Sequence, residues 1–459
     1  MTSFQLIKRI TDTKIKYSHI FLFLFGIGIL LPINYEWALI FLLFLICCGD
    51  IFSTKYDFFS PYSYFFAWYF YYYGLGYICY RIRNSIGINT EFSDEVVLKG
   101  ILYSLTVAIL LKILIKTFEK KAKVISFVAP NEYFRRNNFP LLLCFGGLLI
   151  LINAFFFYKL GGVPILISGY HDSVKATLGK GLGYLEYLTN WANVLIYFTL
   201  IAYFNKKHKD KLSFLIIIFC LIIMPILSDS RSSAVFAVIN LLFLYSWNVK
   251  KVSTKKIIIA GLLMAVFATL WGVIRNGKNG AIAIMVFMAE IGVEYDNFLD
   301  CINMFPAQFD FRNGQTLISC FTLLMPRAIL PNKNDWLTAG EYFKEIKHHD
   351  YIRVGERMSL LGEMYMNFSF ILGVIISILL LIFILYIAKQ CYLRKDKNIY
   401  LQYFGFYFTN KSKGLIGGDT STWFSSGFYD VFFLIFLAVL FYSMKKTQNQ
   451  IIFAQEGQS

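Results

Sequence analysis

The chain alternates long apolar runs with short polar connections. The runs lie at about Ile20–Leu31 and Trp37–Ile51, parted by a turn at Pro32–Asn34. They continue with the aromatic stretch Tyr62–Tyr80 and with Val96–Ile115, Phe139–Phe157, Leu188–Phe204, Leu212–Leu227, Ser233–Trp247, Ile257–Ile274, Leu361–Ala388, Ile399–Thr409 and Phe424–Ser443. A bilayer core is crossed by a helix of roughly 20 apolar residues. The pattern therefore predicts an all-α fold: a polytopic integral membrane helix bundle of about twelve spans. The basic N-terminus leads into the first run without a small-residue cleavage site, so that run is expected to be a retained span.

Two connections are longer than the rest. One covers residues 159–187. The other covers 275–360 and includes apolar pieces such as Ala281–Ile291, which read as amphipathic or half-inserted helices. The expected organisation is a single transmembrane domain over 1–459. It carries a first extracytoplasmic loop at 159–187 and a large, partly helical one at 275–360. Long loops with their own structure are usually functional.

Charge sets the orientation. The net charge is +16, and the lysines and arginines gather in alternate short connections, such as Lys116–Arg136, Lys206–Lys211, Lys250–Lys256 and Lys389–Lys397. The positive-inside rule then puts both termini in the cytoplasm. It also replaces the nucleic-acid reading that such a charge would suggest in a soluble chain. Hydrophobic residues make up 57% of the sequence and aromatics 19%, which fits helix packing, lipid contact and interfacial belts. The eight cysteines form no metal-ligand spacing, although Cys301 and Cys320 share the large loop and allow a disulfide there. No phosphate-binding loop, zinc-protease motif or nucleophile elbow is present, so no cofactor and no metal are expected.

The candidate chemistry lies at the outer ends of the runs. Arg231, among the small polar residues 228–233, either snorkels at the boundary or offers a guanidinium fork to an anionic group. Arg275 closes the neighbouring run on the same side and either anchors it there or joins Arg231 around one diphosphate. In Met325–Lys333 two prolines bend the chain and can present Arg327 and Lys333 together. Glu363 enters the bundle with the large loop and shares a helix face with Asn367. It is either a helix-start acid or a shielded general base. Asp419 either caps the last helix or orients an arginine or a sugar hydroxyl. Arg357 and Tyr365, flanking Glu363, complete the candidate set. His171 and Asp172 lie in the first long loop and read as surface residues.

In order and layout the chain resembles the oligosaccharide repeat-unit polymerases, the Wzy-type O-antigen and capsule polymerases. The residues that carry the resemblance are Gly161–Pro164, Asp229-Ser230-Arg231, the Pro326–Lys333 loop, Gly362–Phe368 and Gly417-Gly418-Asp419. The resemblance implies a metal-independent membrane glycosyltransferase in the bacterial cytoplasmic membrane. It would polymerise undecaprenyl-diphosphate-linked oligosaccharides at the outer leaflet, alongside a flippase and a chain-length regulator. Arg231, Arg275 and Arg327 would hold the diphosphate, and Glu363 would be the base. The chain departs from the family pattern in two places: lysines 175 and 180 stand in the first loop where arginine is common, and Gly417 stands where the last motif often has arginine. Three rivals remain. One is an O-antigen ligase relying on His348 or His349. Another is a flippase, which predicts charges deep in several spans, whereas only Lys112 approaches that. The third is a structural partner in polysaccharide export.

Overall fold

The computed structural model describes residues 34–52, 57–87, 91–121, 138–159, 162–163, 183–205, 211–227, 231–276, 280–325, 329–332, 335–347, 357–393, 399–433 and 435. Every regular element among them is helical. Each expected apolar run with described residues is a helix; the first, at 20–31, lies outside them.

Local sequence fixes the helix starts. α1 (Tyr35–Cys48) begins where the Asn34 side chain accepts the Glu36 amide at 2.8 Å. α2 (Pro61–Phe70) has proline in its first turn, where no amide donor is lost, and Ser60 as its cap. A π-helical turn, Tyr71–Leu75, joins it to α3 (Gly76–Ser85). α4 (Asp94–Lys121), α5 (Asn138–Lys159) and α6 (Gly183–Phe204) follow. α7 (Lys211–Ile218) continues through a second π turn into α8 (Met224–Leu227), and then come α9 (Arg231–Asn248) and α10 (Thr254–Asn276).

Among the described residues, the segment expected to form the large loop carries three helices: α11 (Gly280–Met304), α12 (Gln315–Thr322) and α13 (Ala339–Ile346). α14 (Leu360–Tyr392) and α15 (Ile399–Ile416) return to the bundle, and a terminal helix covers residues 420–433. By length and hydropathy, α4 and α14 are long and apolar enough to cross a membrane, and α1 and α9 are shorter apolar helices.

Ion pairs fix relative direction. Arg81, at the end of α3, grips Glu36 of α1 at 2.5 Å and reaches Asp94 of α4 at 3.4 Å, while Tyr77 donates to the same Glu36. Just past the C-terminal end of α1, Asp50 pairs with Lys112 of α4 at 3.1 Å. α1 and α4 therefore run parallel, with α2–α3 antiparallel to both.

The core is aromatic. Tyr64, Tyr69, Tyr73, Tyr77 and Tyr80 are fully buried along α2 and α3, so this run packs inward and is not lipid-facing. Tyrosine suits that position because its hydroxyl can still find a partner, as Tyr69 does on the Ser104 carbonyl at 2.7 Å. The outward face is different. Ile371, Ile375, Leu379 and Phe383 form an i, i+4 stripe on α14, with Ile371 76% exposed, while Val374, Ile378, Leu381 and Leu385 face inward. Such a stripe suits acyl chains. In lipid it carries no solvation penalty, and helix association rests on packing and polar ties.

Candidate active site

Two polar clusters converge on the large loop. The first is built on a break in α14. Ser359 caps the helix, but Ser369 adopts φ 64° and ψ −168°, a region that glycine alone enters easily. A short helix therefore precedes the long one. The break frees backbone carbonyls, and the loop satisfies them: Arg312 N–H donates to the Met366 carbonyl at 3.1 Å and Asn313 N–H to that of Asn367 at 3.0 Å. The fold-back is so close that a Cβ on Gly373 would stand 2.8 Å from the Met364 carbonyl oxygen, so only glycine fits there.

Glu363 and Asn367 sit on the short helix, fully buried. Glu363 Oε1 accepts from the hydroxyls of Thr316 and Thr420, both at 2.8 Å, and Oε2 accepts from the Thr420 amide at 2.7 Å. Asn367 donates to Thr316 Oγ1 at 2.7 Å and to the Glu363 carbonyl at 2.8 Å, and it accepts from the Gly314 amide at 3.0 Å. Asp419 caps the terminal helix through the Thr422 amide at 2.7 Å and also accepts from the Gly340 amide at 3.4 Å. This network ties α12, α13 and the terminal helix to the break in α14. Each oxygen of Glu363 is engaged by a donor, so the residue holds these elements together as a clamp. Asp419 takes the capping role of its two alternatives. Tyr365 is a core residue, with its hydroxyl on the Phe305 carbonyl at 3.3 Å.

The second cluster surrounds Glu294, on α11. Its carboxylate is 4% exposed, and Oε1 lies 3.5 Å from Arg357 Nη1. Burial raises its carboxyl to about 7, against the pull of the Arg357 guanidinium. The Arg357 side chain is 63% exposed, and its carbonyl is held by Asn297 Nδ2 at 2.8 Å. The Tyr72 ring, from the π turn, borders this pair and covers Gly417, where a Cβ would overlap the ring. The departure at Gly417 has that physical cause: Tyr72 occupies the space of a side chain. One turn earlier on each helix, Lys413 Nζ lies 4.8 Å from the Trp68 ring centroid and 3.2 Å from that of Phe236. Phe236 is in the second turn of α9, which opens at Arg231.

The backbones of Arg231 and Arg275 place them at the first and penultimate residues of α9 and α10, but their side chains lie outside the described residues. Arg327, Lys333, His171, Lys175, Lys180, His348 and His349 lie outside them entirely. Cys301 and Cys320 are separate, buried free thiols and not a disulfide: Cys301 rests on the Met358 sulfur at 3.7 Å and Cys320 on Thr420 at 3.7 Å. Sequence reasoning missed Glu294 and Lys413.

An all-helical bundle with an apolar outer stripe and two helices long and apolar enough to cross a membrane fits the class of helical membrane proteins. The family described as O-antigen polysaccharide polymerase Wzy matches residues 14–449, nearly the whole chain, and the chain belongs to that family. It is an integral membrane protein that polymerises lipid-linked repeat units into a polysaccharide, a glycosyltransferase-type activity. No curated protein and no solved structure matches it.

Proposed function

We propose that the donor is an undecaprenyl-diphosphate-linked chain and that the reaction occurs at the outer leaflet of the bacterial cytoplasmic membrane. The growing saccharide passes from its carrier to a sugar hydroxyl of the next lipid-linked unit. Both termini are cytoplasmic, in keeping with the lysine-rich connections on that side. The observation that carries this reading is the set of cations at one end of the bundle. Arg357 is largely exposed beside the large loop, and the helices α9 and α10 present Arg231 and Arg275 at their ends.

A glycosidic bond to a diphosphate breaks with negative charge building on the leaving group, and preorganised guanidinium groups stabilise that charge. Arg231, Arg275, Arg327, Lys333 and Arg357 supply it without a metal ion. Glu363, Asn367 and Asp419 hold the loop in place over this surface. A chain-length regulator and a flippase of the same pathway act beside it.

The test uses purified chain in lipid vesicles, supplied with undecaprenyl-diphosphate-linked repeat units in excess EDTA. Polymer should form at an unchanged rate. Arg231→Ala and Arg275→Ala should each lower the rate by about 100-fold, the usual worth of one donor on a developing anion. Loss of activity in EDTA that magnesium or manganese restores would overturn the metal-free reading.

A further inference from the structure

A buried carboxylate normally has each oxygen paired, as Glu363 does. Glu294 is the exception. Its Oε2 is buried and has no hydrogen-bond partner, while Oε1 has only the guanidinium of Arg357 at 3.5 Å. Among the described residues, Lys413 has no acidic or hydrogen-bonding partner, and its ammonium is boxed by Trp68 and Phe236. Tyr72 joins the two halves, within electrostatic reach of Glu294 and Arg357 on one side and with its ring tilted at 6.2 Å from Trp68 on the other. The π turn that carries Tyr72 is a feature often found at functional sites.

We infer that Glu294 is the general base of the polymerisation and that Arg357 faces the departing diphosphate. This rests on the lipid-diphosphate donor proposed above. In the step, the acceptor hydroxyl gives its proton to Glu294 Oε2 while its oxygen bonds to the anomeric carbon of the donor. The bond from that carbon to the phosphate oxygen breaks, and its electron pair leaves with the lipid diphosphate. The proton then passes from Glu294 to solvent, which restores the carboxylate.

The surroundings suit the role. Burial lifts the Glu294 carboxyl to about 7, where a base is both available and effective. The groups facing it are Arg357, Tyr72 and, along its own helix, Asp296, which Arg83 of α3 neutralises at 2.7 Å. Lys99 of α4 is turned instead toward the Tyr365 ring, at 5.2 Å.

The test uses the full chain in vesicles, with the lipid-linked repeat unit extracted from a strain lacking this gene. Glu294→Gln should lower kcat by about 100-fold or more with KM within about threefold, and Glu294→Asp should retain part of the rate. For the native chain, kcat/KM should fall about tenfold per pH unit below about pH 7, a limb absent from the residual activity of Glu294→Gln. Should Glu294→Gln fail to fold, as judged by its unfolding midpoint, Glu294→Asp decides: its low-pH limb should move relative to that of the native chain, and an unmoved limb would overturn the inference. A Gln variant within about threefold of native, or a native profile flat from about pH 5.5 to 8, would overturn the inference. If the native chain makes no polymer from this donor, the donor reading fails instead.

Discussion

Glu363 and Glu294 show how two buried carboxylates in one protein come to differ. The first has three donors on its two oxygens, and the second has one distant guanidinium and an oxygen with none. Replacing Glu363 by glutamine keeps the shape but turns one acceptor into a donor facing a donor. That mismatch should cost about 1–3 kcal/mol of stability. A thermal unfolding measurement should show a lowered midpoint, and an unchanged midpoint would contradict the clamp. The sequence marked Glu363 and Asn367 as belonging together, because an acid at a span entrance and an i, i+4 amide are visible in one dimension, and it marked Asp419 separately. It did not reveal what each bonds. Thr316 and Thr420, which fill the Glu363 oxygens, are remote from it in sequence and carry no motif. Glu294 was illegible for a related reason: an oxygen left unpaired is a property of the packed structure alone. Gly417, read as a departure from a motif, became intelligible only once the Tyr72 ring was seen over it.

Helices were the legible elements. Each apolar run that lies among the described residues forms one, because length and continuous hydropathy leave a chain in lipid few other ways to satisfy its backbone. What hydropathy cannot reveal is a break inside a run. Leu361–Ala388 reads as one span, yet Ser369 turns it sharply, and the freed carbonyls are taken up by the amides of Arg312 and Asn313. Serine in that backbone region costs of order 1–3 kcal/mol. Ser369→Gly should therefore raise the unfolding midpoint, by an amount corresponding to about 1 kcal/mol, because glycine enters the region without a Cβ clash. A lowered midpoint would mean that the serine side chain itself holds the turn. The π turn at Tyr71–Leu75 was equally invisible, since nothing in an aromatic run distinguishes a wide turn from an ordinary one.

At the scale of the molecule, the bundle brings a folded loop onto one end of parallel and antiparallel helices. Ion pairs at both ends of α1 tie it to α3 and α4. The large loop spends its polar groups in two ways. One cluster closes on itself and holds the loop down, and the other leaves charges unmatched at the bundle end. This division fits a polymerase that must release a diphosphate while keeping a long saccharide in place. The family match bears out the resemblance seen in the sequence over residues 14–449. The most direct measurement is a gel of surface polysaccharide from a strain in which this chain has been deleted and then restored. Polymerisation predicts that the deletion leaves a single repeat unit on its acceptor and that the native chain brings back the full ladder. A deletion that removes the single-unit product as well would contradict the account, because the missing step would then precede or follow polymerisation.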